Sequence, residues 1–70
     1  MKITFNRDCI VNRGSHNKAS LKQDIILKGT SIEIVGIVET IYAVAVPSVD
    51  INLGDAHLVA VPNSWFTIEE

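Results

Sequence analysis

Cys9 is the only cysteine in a chain of 70 residues, and this limits the possible folds more than any other feature. A chain this short buries only about 60% of the surface that its unfolded form exposes. Ordering it costs roughly 1.5 kcal/mol per residue, on the order of 100 kcal/mol in all. Small domains commonly offset that cost with disulfides or a structural metal. A lone cysteine forms no internal disulfide, and His16 and His57 stand in no Cys/His cluster of zinc-ligand spacing. Apolar burial must therefore hold the fold, with association between chains as the remaining resource.

Apolar residues make up 47% of the chain, mostly Val and Ile. Both are stiff at χ1 and favour strands. No window sustains a 3.6-residue apolar period, so the expectation is a single all-β domain over residues 1–70. Ile3 and Phe5 alternate with Lys2 and Thr4 in a first strand over 2–11, interrupted by Asn6-Arg7-Asp8. Residues 12–24 are polar and rich in Gly, Asn and Ser, which marks a long loop with Leu21 as its anchor. Residues 25–28 form a short apolar step, and Gly29-Thr30 turns the chain into a strand over 31–40. Gly36 in mid-strand predicts a bulge or bend. Residues 41–46, IYAVAV, are apolar on both faces and read as a central strand ended by Pro47. Residues 49–53 and 57–61 follow as strands around a Gly54-Asp55 turn. Pro62 to Trp65 reads as a 3₁₀ turn, with a short closing strand over 66–68.

This order resembles the SH3 family. Lys28-Gly29-Thr30-Ser31-Ile32-Glu33-Ile34 is similar to that family's Lys-Gly-Asp segment, and Val61-Pro62-Asn63-Ser64-Trp65-Phe66 to its Pro-x-x-Tyr-Val segment. The resemblance implies a small five-stranded SH3-like barrel with a 3₁₀ turn before the last strand. The implied setting is that of the small bacterial or phage proteins in which such barrels are common. On that match the 12–27 segment stands at the family's RT loop. Pro62 and Trp65 fall on positions of the groove that accepts proline-rich peptides, and Tyr42 falls near a third. The chain departs from the family in two places. The Ala-Leu-Tyr-Asp-Tyr segment is absent, and the loop is basic (Arg13, His16, Lys18, Lys22) where the family's is acidic.

Charge is segregated. All six basic residues, Lys2, Arg7, Arg13, Lys18, Lys22 and Lys28, lie in the first 28 positions, against two acids. From Gly29 onward there are six acids and no Lys or Arg. A closed fold would bring the halves together and intermix these charges. No Gly-rich phosphate loop, nucleophile–base pairing or metal-ligand spacing is present, and no cofactor is implied. The start of the chain has no signal-peptide pattern, and no stretch approaches the ~20 apolar residues of a membrane span. These features predict a cytoplasmic, non-catalytic protein that binds another protein through Trp65, Pro62, Tyr42, Arg13 and Lys18. The alternative is a nucleic-acid-binding barrel using Arg7, Arg13, Lys18 and Lys22. Its charge pattern lacks interleaved aromatics for base stacking. A third expectation is a homo-oligomer paired through an exposed edge strand.

Overall fold

The Ile3/Phe5 alternation produces the strand the sequence predicts. In the computed structural model of the chain both residues are fully buried in β1 (Lys2–Phe5), while Lys2 and Thr4 face outward. The structure describes residues 1–14 and 21–69. The other strands are β2 (Cys9–Gly14), β3 (Leu21–Ile26), β4 (Ser31–Glu33), β5 (Gly36–Glu39), β6 (Ser48–Asn52), β7 (His57–Pro62) and β8 (Phe66–Glu69). A 3₁₀ turn, Asn63–Trp65, separates β7 from β8, as the sequence predicts.

The architecture is all-β, but it is not the five-stranded barrel. Eight strands form two antiparallel sheets, β4-β1-β8 and β3-β2-β7-β6-β5, and among the described residues no closed barrel forms. The physical reason lies in two breaks. The polar triplet Asn6-Arg7-Asp8 divides the expected first strand, so that its halves join different sheets. The expected 31–40 strand changes sheet between two consecutive residues. Ile34 N donates to Met1 O at 2.9 Å, beside the first sheet, and Val35 N donates to Asn52 O at 2.8 Å, in the second. This crossing lies immediately ahead of Gly36, where a bend was expected.

Two further expectations are corrected. Residues 12–24 are not all loop. β2 runs through Gly14 and β3 starts at Leu21, pairing from Cys9↔Ile26 to Gly14↔Leu21. Asn12 and Arg13 pair with Val59 and Leu58 of β7 but are themselves exposed, so a polar stretch of strand looks like loop in the sequence. The 41–46 run is not a strand. It forms an irregular connection from Thr40 to Pro47 in which Ile41, Val44 and Val46 are 61%, 44% and 52% exposed. Apolarity on both faces predicts cover on both faces, and the described residues leave most of this run exposed.

The core is Ile3, Phe5, Val11, Ile26, Ile34, Ile51, Leu58, Val61 and Phe66, with the Phe5 and Phe66 rings 6.1 Å apart. Gly29, at φ +87°, makes the turn that returns the chain to β1. Its N–H donates to Phe5 O, and Phe5 N–H donates to Thr30 O. A left-handed residue there is cheap only as glycine.

A β-bulge joins β6 to β7. Val49 pairs with Val61 and Ile51 with Leu58, so Asp50 stands opposite both Val59 and Ala60. The extra residue shifts the phase of β7, which is why Leu58 and Val61, three apart, both reach the core. Ala60 adopts φ +53°, and its N–H donates to Asp50 Oδ1 at 2.8 Å. Asp50 is fully buried. A buried donor left without its acceptor costs about 1–3 kcal/mol, so Asp50→Ala should destabilise by that amount in urea unfolding. Ala60→Gly should be neutral or stabilising by up to about 1 kcal/mol, because glycine relieves the left-handed strain and loses part of the gain to unfolded-state entropy. A clear loss of stability on Ala60→Gly would contradict the strained bulge.

Candidate functional site

The 3₁₀ turn is built from both ends of the chain. Pro62, half-buried at φ −57°, fixes the entry, since its ring locks that dihedral. Asn6, just after β1, closes the exit. Its backbone N–H donates to Trp65 O at 2.9 Å, and its Nδ2 donates to Ser64 O at 2.8 Å. Phe66 is extended and turns its ring into the core. The neighbouring Trp65 is half-buried, packed against the core on one side. The Arg7 guanidinium lies 5.3 Å from the centre of its ring. Such a stack is worth about 0.5–1 kcal/mol at an exposed site. Trp65 is thus a preorganised aromatic, held by backbone bonds and by a cation above it.

The exposed 40–47 connection is tied to the same turn, because Asn63 N donates to Pro47 O at 3.0 Å. Tyr42 belongs to this connection and is half-buried, with its N–H donating to Thr40 Oγ1 at 3.3 Å. The expected trio is therefore gathered in part. Pro62 and Trp65 bracket the turn, and the Tyr42 segment is bonded to it through Pro47.

The expected basic residues do not form one stripe. Arg7 sits on Trp65. Arg13 and Lys22 face each other across the β2–β3 ladder, and Arg13 Nη1 pairs with Asp24 Oδ2 at 3.1 Å. Lys18 and His16 lie outside the described residues. Two ion pairs join the basic and acidic halves, the Met1 ammonium with Glu33 and Lys2 with Glu69, each at 3.6 Å. These pairs are exposed and contribute little stability.

Two depressions mark the surface. One, about 360 Å³, is lined by Ile37, Val49, Asn63, Phe66, Thr67 and Ile68, on the side of the 3₁₀ turn where β5 and β8 leave their sheets open. The sequence reading missed it, because Ile37 and Ile68 alternate as core residues would. The other holds Gly14, Gly54, Asp55, Ala56 and His57. Among the described residues no group of three His, Cys, Asp or Glu could hold a metal ion. Arg7 as the partner of Trp65 was also missed. The two are far apart in sequence, and no local pattern links them. Among the described residues no helix is long and apolar enough to cross a membrane.

No family model matches the chain, and no curated protein or solved structure matches it.

Cys9 is half-buried, and desolvation pushes its thiol above the ordinary value of 9.0, with Arg7 opposing and Asp8 adding to the shift. A raised thiol is a poor nucleophile near neutrality. Alkylation of Cys9 by iodoacetamide at pH 8 should be slower than that of free cysteine. Because folding favours the neutral thiol, the stability linked to Cys9 is present below pH 9 and declines as pH rises through the folded-state value. Alkylation as fast as that of the free amino acid would contradict this.

Proposed function

We propose that this chain is a non-catalytic protein-interaction module on an SH3-like frame. Its contact surface centres on Trp65 and Pro62, with Arg7 as a charged companion and the Tyr42 connection as a rim. The observation that carries the reading is the clamped Trp65. With the turn backbone fixed by two hydrogen bonds from Asn6 to the Ser64 and Trp65 carbonyls, and a guanidinium stacked on the ring, the indole loses little conformational freedom on binding. Rigid aromatics of this kind dominate interface energies.

The element order supports the frame. A first strand is followed by a long hairpin, a strand divided between two sheets, a tight hairpin, a 3₁₀ turn and a closing strand paired to the first. The same order underlies the sequence resemblance. Two positions weigh against the nucleic-acid alternative. The guanidinium of Arg13 is engaged by Asp24, and that of Arg7 by the Trp65 ring.

Trp65→Ala should weaken capture of the native-host partner at least about tenfold, as removal of an interface anchor does. Trp65 also touches the core, so Arg7→Gln serves as a second variant that leaves the packing intact. It should weaken capture less, and lower stability in urea by no more than the stack contributes, about 0.5–1 kcal/mol. Undiminished capture by a folded Trp65→Ala protein would overturn the reading, as would retention on a nucleic-acid column that falls steeply with salt and depends on Arg13 and Lys22.

A further inference from the structure

The uncharged run from Thr40 to Val49 is the largest mismatch between what this sequence encodes and what the single chain covers. Residues 41–46 are apolar on both faces of a strand period, yet apart from the half-buried Tyr42 they form an exposed, irregular connection. They continue β5 directly, and β5 is the last strand of the five-stranded sheet. An edge strand leaves a row of backbone groups without a ladder partner, which is a template for pairing with another chain. We infer that the β5 edge and residues 41–46 form the interface between two copies of this chain, the 41–46 segment becoming strand on pairing.

Three observations select a second copy as the occupant. The first is the size of the core. Among the described residues ten apolar side chains are buried, and ten large ones are exposed, including Val38, Ile41, Val44 and Val46 along this edge. A chain with no disulfide and so small a core gains stability by burying such residues in an assembly.

The second is charge. All four sheet edges carry charged residues, Lys22 and Asp24 on β3, Glu33 on β4, Glu39 on β5 and Glu69 on β8. Positions 40–49 carry none, so a charged partner finds no complement there, whereas an identical neutral segment meets no penalty.

The third is register. A two-fold interface is self-complementary, residue i meeting j while j meets i. Antiparallel pairing centred between Tyr42 and Ala43 sets Ile41 against Val44 of the other copy and Glu39 against Val46. It places the two Glu39 residues about 24 Å apart along the ladder, seven residues at about 3.4 Å each. That separation exceeds the screening length of about 8 Å at physiological salt, so the flanking acids do not oppose the contact.

This inference goes beyond the interaction reading. It assigns the β5 edge to a second copy and leaves the Trp65 turn for a different partner. Sedimentation equilibrium from the micromolar to the millimolar range tests it on the full chain. The wild-type protein should reach twice the chain mass. Val44→Asp and Val46→Asp, both in the exposed connection, should weaken dimerisation about a hundredfold or more, since the first sets an unpaired carboxylate into an apolar contact and the second sets one directly opposite Glu39 of the other copy. Ile25→Asp, on the exposed face of β3, adds the same charge elsewhere and should leave dimerisation unchanged. A wild-type protein monomeric throughout the range overturns the inference. So does a dimer that resists both loop substitutions or is broken by Ile25→Asp. Neither outcome touches the Trp65→Ala capture result, so the two readings fail separately.

Discussion

The fully buried Asp50 side chain, accepting the N–H of Ala60, is the contact on which the geometry of this small protein turns. A carboxyl group is a costly thing to bury in a 70-residue chain unless it is bonded. Here it holds the bulge that gives β7 one residue more than β6 between the Val49–Val61 and Ile51–Leu58 pairs. Without that residue Leu58 and Val61 would face opposite sides of the sheet. With it both enter the core beside Ile51 and Phe66. Pro62 follows Val61 directly, so the same phase shift sets where the 3₁₀ turn begins and which way Trp65 projects. A feature of the core thereby places the feature proposed to bind a partner.

The second organising element is the crossing at Ile34–Val35. Successive amides bond to different sheets there, so a single stretch of chain couples them covalently. Ile34 is buried at the junction, while Val35 is exposed beyond it. Two sheets joined in this way enclose Ile3, Phe5, Ile51 and Phe66 without closing a barrel. The open side leaves the apolar groove between β5, β6 and β8, and four sheet edges remain unpaired by other strands of the described chain. The surface chemistry of the molecule is largely a consequence of that incomplete closure.

Much of this was legible in the sequence where local pattern and tertiary role agree. The Ile3/Phe5 alternation, the Gly29 turn and the Pro62–Trp65 turn each follow from a short-range physical rule. The failures share a cause as well. IYAVAV was legible as apolar on both faces, but period alone does not say whether anything covers those faces. The Leu58-Val59-Ala60-Val61 run looks like regular alternation, and the bulge is visible only once β6 is set beside it. Asn12-Arg13 and Lys22-Gln23-Asp24 look like loop because they are polar and largely exposed, though they pair within the sheet. The pairing of Arg7 with Trp65 joins opposite ends of the chain, and nothing local signals it.

The most direct measurement of this account is native-state hydrogen exchange at the Ala60 amide. If the bond to Asp50 anchors the two-sheet core, that amide opens only with global unfolding. Its exchange should then be as slow as that of the most protected core amides, such as those of Ile51 and Leu58. Exchange at the rate of the exposed 40–47 connection would contradict it, because the bulge would then open locally and could not set the register of β7.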